Sequence, residues 1–250
     1  MNNNKLKLWL EEENAGFLGW DFSHIDNRWH MDDLPWDYSS IVKKYLHNQH
    51  NLLDMGTGDG EYLLSFSHPF DKTYVTEGYQ PNYQLCVKKL EPLGIKVSFC
   101  NDDILPFSDE SFNIIINRHE SFNLSEVFRT LKPGGYFITQ QVGAMNNHQL
   151  AEFILDTPHV INEMNTLNYN LEFAKKVGFT ITDQNETYAS LKFFDTGALV
   201  YYAKIIQWEF PGFSVIKHLE KLNDLDMILE SNGFIDTIEH RYLIVARKPL

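Results

Sequence analysis

The sequence predicts an α/β protein built on a parallel, doubly wound sheet, and three observations carry that prediction. A short apolar strand runs into the glycine-rich turn Gly56-Thr57-Gly58-Asp59-Gly60. A second strand ends on an acid, Glu77, and three further apolar runs at 95–100, 114–117 and 136–142 alternate with helical segments. Ligands of such sheets bind at the carboxyl ends of the strands. The glycine turn, Glu77, Asp102, Asp103 and Asn117 all fall at such ends.

Composition bounds the function. A chain of 250 residues with 43% hydrophobic content can bury a substantial core, either as one large α/β domain with additions or as two small ones. A formal net charge of -13 offers no general attraction to phosphate backbones or anionic lipid, so nucleic acid and membrane are disfavoured partners, with a local basic patch left open. Cys86 and Cys100 suit neither a disulfide framework nor a zinc cluster and read as two reduced thiols. The histidines are scattered, and no metal-ligand pattern emerges. The start MNNNKLKLWLEEEN is too short in apolar run and too charged for a signal peptide, and no later segment is apolar over a membrane-spanning length. A soluble, cytoplasmic protein is the expectation.

The first 36 residues read as an arm. Residues 16–38 lack helical or strand periodicity yet carry Trp20, Trp29 and Trp36, which are too large to leave in water. The arm either covers a hydrophobic face or roofs a ligand cleft, with Trp20, Asp21 and Phe22 against a substrate. A core over 37–194 follows. Asp37 caps a helix bearing Ile41, Val42, Tyr45 and Leu46 at helical spacing, which leads into the strand 51–55.

The glycines come next. Without Cβ atoms, Gly56, Gly58 and Gly60 let the backbone take positive φ and a ligand approach it, ahead of a helix over 61–66. A ligand-free glycine loop is the alternative, since the motif alone is weak. The strand 72–77 completes a βαβ unit. Glu77 then stands about 20 residues beyond the glycines, where such units place a carboxylate for the two hydroxyls of a ribose, unless it is merely a solvated surface acid.

Pro81 opens a helix through Leu93 that Gly94 closes, and Ile114-Ile115-Ile116 reads as a buried central strand. Asn123-Leu124-Ser125-Glu126 has the capping-box arrangement for a helix through Leu131, and Lys132-Pro133-Gly134-Gly135 turns into the strand 136–142. Helices over 149–155 and 171–177, a strand within 179–193, a helical insertion at 195–236 and a final stretch 237–250 holding the strand 242–246 complete the chain.

Four blocks in order give the chain a family resemblance: LLDMGTGDGE, the strand ending in Glu77, DDILPFSDESFNIII and LSEVFRTLKPGGYFIT. They resemble the class I S-adenosylmethionine-dependent methyltransferases, and G-x-G-x-G spacing departs from the G-x-G-x-x-G of dinucleotide dehydrogenases. The resemblance implies a Rossmann-like, seven-stranded, mostly parallel sheet whose last strand is antiparallel, with the N-terminal arm and C-terminal helical insertion as additions. It implies S-adenosyl-L-methionine as cofactor. Asp54, Gly56, Thr57 and Gly58 would hold its methionine part, and Glu77 its ribose. Gly78, Tyr79, Ile104 and either Asp102 or Asp103 would line the adenine, and the Asn117 carbonyl would meet the ammonium. Asn113 stands where the family often has Asp.

The acceptor side is less determined. Arg118 as an anion clamp and His119 as a general base compete with a reading in which Arg118 pairs with Glu120 and His119 packs against the arm. Gln140 and Gln141 at a strand end and Trp208 in the insertion are substrate candidates, against loop support and core filling. The insertion, with Trp208, Phe210 and Phe213, has the composition of a lid. The expected function is methyl transfer to a small molecule in an enclosed aromatic pocket. RNA modification and non-catalytic binding of S-adenosylmethionine or S-adenosylhomocysteine are the alternatives. The sequence is silent on oligomeric state and on the acceptor atom.

Overall fold

The structure is a computed structural model and describes residues 3–17, 21–100, 104–158 and 160–250. Its elements in chain order are α1 (Asn3–Glu13), β1 (Trp29–Met31), α2 (Tyr38–Tyr45), β2 (Leu52–Met55), α3 (Glu61–Leu64), β3 (Thr73–Glu77), α4 (Gln80–Leu90), β4 (Lys96–Phe99) and β5 (Phe112–Arg118). There follow α5 (Leu124–Thr130), β6 (Leu131–Val142), α6 (His148–Leu155), α7 (Leu167–Val177), β7 (Thr180–Phe193), α8 (Thr196–Ile205), α9 (Leu219–Asn232) and β8 (Ile235–Arg247). The strand order is β1-β7-β8-β6-β5-β2-β3-β4, so the sheet has eight strands where seven were expected. The extra one is β1, from the arm, which pairs antiparallel with β7 from Trp29↔Phe193 to Met31↔Leu191.

The chain divides into two compact units, one comprising Pro35–Gly143, Glu163–Glu186 and Arg241–Leu250, the other Met1–Leu34, Ala144–Asn162 and Thr187–His240. In the first, β2 lies parallel to both β3 and β5, and β5 is parallel to β6. Leu52, Leu53, Met55 and Ile114 to Ile116 are buried, as unbroken apolar runs must be in a parallel sheet covered on both faces. One face meets Leu124, Val127, Leu171 and Phe179, and the other meets Val42, Leu63, Cys86 and Leu90. Residues 241–247 of β8 lie antiparallel along β6, from Val142↔Arg241 to Tyr136↔Arg247.

Local chemistry ends the helices where the sequence indicates. The Asp37 side chain accepts the Ser39 amide at the start of α2, and that of Asn123 accepts the Ser125 and Glu126 amides at the start of α5. Gly94 at φ 98° and Gly178 at φ 117° take the left-handed turn that stops the helices before β4 and β7.

In the other unit α8 is almost wholly buried. Ile25, Ile154, Phe193, Tyr201, Tyr202 and Phe210 form its core, and Trp9 of α1 packs with Val200, Val215 and Leu222. Tyr201 and Tyr202 are core residues, as their helical spacing indicates.

Candidate active site

The carboxyl ends of β2, β3 and β5 bring the candidate cofactor residues together. The β2 chain hooks onto β3 as it leaves the sheet: the Gly56 and Thr57 amides both donate to the Thr76 carbonyl, at 3.0 and 3.3 Å. Gly56, Gly58 and Gly60 all have positive φ, of 68, 65 and 78°. A side chain at Gly60 would meet Leu90 at 2.8 Å, so this glycine lets the turn close over α4. At Gly56 the space of a Cβ is already filled by the Glu120 side chain, 2.4 Å from where that atom would stand. Cys86 supports the turn from below, its thiol donating to the Gly58 carbonyl at 3.0 Å.

Glu77 is buried at the end of β3 and spans the turn. One carboxylate oxygen accepts the Gly58 amide and the other the Tyr79 amide, each at 2.9 Å. Burial raises its pKa, those amides pull it down, and Glu120 raises it. Asp54 lies on the neighbouring strand with its carboxyl pushed up to about 7, chiefly by burial, against the opposing pull of Thr57 and Arg118. Three carboxylates thus surround a backbone turn whose amides are largely satisfied within the protein, a setting suited to a ligand bearing both positive charge and hydroxyl groups.

Two of the residues expected to line an adenine are exposed. Tyr79 and Ile104 are 62% and 74% exposed, as flat surfaces for a ring would be. Asp102 and Asp103 lie outside the described residues. The chain just after them is clamped by Arg129, which donates to the Leu105 and Phe107 carbonyls at 3.1 and 2.8 Å and to Asp109 at 2.8 Å. Glu126 completes the clamp by accepting the Leu105 amide at 3.0 Å.

At the end of β5 the Tyr38 hydroxyl stands between the Asn117 and Ile138 carbonyls, 3.1 Å from each, and receives the Asn117 amide at 3.2 Å. The Asn117 carbonyl therefore already has one partner and keeps capacity for a second. Its side-chain Nδ2 is buried with no hydrogen-bond partner among the described residues. Gln141 does not face outward; it is buried and donates to Thr139 Oγ1, the Glu120 carbonyl and Asn117 Oδ1. That geometry suits loop support.

Arg118 is exposed and lies over the Tyr62 ring, 3.7 Å from its centroid. His119 has φ 62° and a solvent-accessible ring. Its backbone amide donates to the Gln140 carbonyl at 2.9 Å, and its Nε2 lies 3.0 Å from Gln140 Nε2. Gln140 Oε1 in turn accepts the Trp36 indole N–H at 2.8 Å. The partnership of Trp36, Gln140 and His119 was not foreseen from sequence.

The remaining substrate candidates belong to the other unit. Phe22 is half-buried in a ring cluster with Phe17, Trp29 and Tyr202, Asp21 is exposed and accepts the Ser23 amide at 2.8 Å, and Trp208 is 62% exposed. Trp20 lies outside the described residues. Phe210 is completely buried. Among the described residues there is no cluster of metal-ligating side chains, and no helix is long and apolar enough to cross a membrane.

The stretch from β2 to β6 that builds this site, residues 53–139, matches the family model described as a methyltransferase domain. The ubiquinone/menaquinone biosynthesis C-methyltransferase UbiE of Blochmanniella floridana is 25% identical over 170 residues, which is 62% of this chain and 62% of that protein's length. Among solved structures, the YcgJ protein of Bacillus subtilis shares the fold with a TM-score of 0.60 and 20% identity, over 85% of this chain and 98% of that one. Phosphoethanolamine N-methyltransferase 2 of Haemonchus contortus, solved with phosphomonomethylethanolamine and S-adenosylhomocysteine, has a TM-score of 0.52 and 14% identity, covering 100% of this chain and 58% of that one. These solved structures share the chain's α/β fold, and Glu77 and the glycine turn lie within the matched stretch.

Proposed function

We propose that the chain binds S-adenosyl-L-methionine at the ends of β2, β3 and β5 and transfers its methyl group to a small-molecule acceptor. The observation that carries this is Glu77. Each of its carboxylate oxygens accepts one backbone amide and keeps capacity for a second donor, the need of two adjacent ribose hydroxyls. Asp54, Gly56, Thr57 and Gly58 then hold the methionine part, with Glu120 beside Gly56 as counter-charge, and the Asn117 carbonyl takes the ammonium. Gly78, Tyr79 and Ile104 line the adenine, with Asp102 or Asp103. When bound, the cofactor supplies a methyl group already activated on a sulfonium, so the protein's task is to orient the acceptor and exclude water.

The acidic balance, -13 overall, supports a small-molecule acceptor over RNA. Two buried cysteines outside any disulfide, Cys86 and Cys100, support a reducing, cytoplasmic setting. Calorimetry with S-adenosylmethionine and S-adenosylhomocysteine, followed by S-adenosylhomocysteine release over a panel of phenols, amines and carboxylates, tests the reading. Binding of neither nucleoside removes it. Binding without turnover on the panel or on RNA leaves a cofactor-binding protein that does not catalyse.

A further inference from the structure

We propose that His119 is a fixed neutral hydrogen-bond donor that presents its Nδ1–H to an oxygen atom of the methyl acceptor, and that Gln140 and Trp36 are the positioning residues that set this state. The inference rests on the function proposed above for its substrate, while the state of the ring stands on geometry alone.

The chemistry of the chain of contacts leaves one assignment. The Trp36 indole nitrogen is a donor only, so the Gln140 atom 2.8 Å from it must be the carbonyl oxygen. The other terminal atom of Gln140 is then the amide nitrogen, also a donor only, and it faces His119 Nε2 at 3.0 Å. His119 Nε2 must therefore accept, which puts the ring proton on Nδ1. The left-handed backbone at His119, φ 62°, and its amide bond to the Gln140 carbonyl hold the ring in place.

A proton acceptor at this position would need a free nitrogen lone pair, and Gln140 occupies the one His119 has. What remains is an N–H on an accessible ring, one residue from Glu120, whose side chain fills the space over Gly56. No described residue bonds to His119 Nδ1. The two charged groups that act on the ring most strongly, Arg241 and Arg118, are both cations. A neutral N–H donor recognises an electron-rich oxygen, as in a carboxylate or phenolate, and leaves such an oxygen deprotonated and nucleophilic without a base.

Long-range 15N spectra of the imidazole in the cofactor-free protein should give Nδ1 a protonated and Nε2 an unprotonated shift, with the Nε2-protonated form appearing in Trp36→Phe and Gln140→Leu. Titration with benzoate should move the Nδ1 resonance. His119→Asn, whose amide nitrogen sits near the Nδ1 position, should retain most benzoate affinity, and His119→Gln, whose nitrogen sits near Nε2, should lose about tenfold. Protonated Nε2 in the wild type, a ring state indifferent to both relay variants, no benzoate response, or equal affinity in the Asn and Gln variants would each overturn the proposal. The nitrogen shifts need no cofactor, so they remain readable even if S-adenosylmethionine fails to bind.

Discussion

Glu77 and the Gly58 amide, 19 positions apart in the chain, meet at 2.9 Å and tie the end of β3 to the glycine turn. The same carboxylate takes the Tyr79 amide, so it organises the backbone on both sides of the turn before any ligand arrives. Replacement of Glu77 by Gln sets an amide N–H against one of these backbone donors. The expected cost is about 1–3 kcal/mol of stability, with S-adenosylmethionine affinity lower by at least roughly tenfold. Urea unfolding and calorimetry on E77Q check both. Undiminished affinity would remove Glu77 from the ribose site.

Asp54 makes stability depend on pH. Its carboxyl lies near 7 in the folded protein against an ordinary 3.8, so the folded state holds a proton that the unfolded chain releases earlier. This group's contribution is complete below about pH 4 and is lost as pH rises through about 7. Wild type minus Asp54→Asn, compared by urea unfolding from pH 4 to pH 8, should decline by roughly 3–4 kcal/mol. A cationic cofactor favours ionised Asp54, so S-adenosylmethionine should bind more tightly as pH passes 7, and S-adenosylhomocysteine, which lacks the sulfonium charge, should respond less. A flat difference between the two proteins would refute the buried-acid account.

Gly60→Ala tests the turn without touching a polar group. The new methyl would sit 2.8 Å from Leu90, itself fully buried, on a backbone at φ 78°. Strain and overpacking together should cost about 2–3 kcal/mol. Thermal unfolding reads this directly, and an unchanged midpoint would mean that the turn relaxes freely.

Tyr38→Phe removes the hydroxyl that receives the Asn117 amide and stands between two strand carbonyls. Buried amide and carbonyl groups lose a partner in a place water does not reach, at an expected cost of about 1–3 kcal/mol. Hydrogen exchange should accelerate at the Asn117 amide in particular. Exchange that is faster everywhere to the same degree would point to a general loss of packing instead.

The clustering of the glycine turn and Glu77 at the strand ends is legible because its signals are local. β2, the glycines and Glu77 lie within one βαβ unit, and the Gly94 and Gly178 stops follow from backbone conformation alone. Elements whose stability comes from distant packing were missed. Helix α1 has a weak apolar face, and it is Trp9 packed with Val200, Val215 and Leu222 that anchors it. Strand β8 begins at Ile235, seven residues before its apolar run, because Thr237, Glu239 and His240 are buried polar residues that break the strand pattern. The relay from Trp36 through Gln140 to His119 was equally hidden, since three segments far apart in sequence supply it. Gln140 and Gln141 look alike in sequence, and the alternation of a strand sends Gln140 toward His119 and Gln141 toward Thr139.

The place of β8 in the sheet has a consequence for synthesis. It is hydrogen-bonded along β6, yet the whole stretch from Gly143 to Phe234 is made in between. Until β8 emerges, β6 presents an unpaired apolar edge in the nascent chain, the kind of surface that recruits other strands. Closing so long a loop is slow. Assembly of this sheet should therefore wait for β8, and the interval before it is the point at which a chaperone matters most.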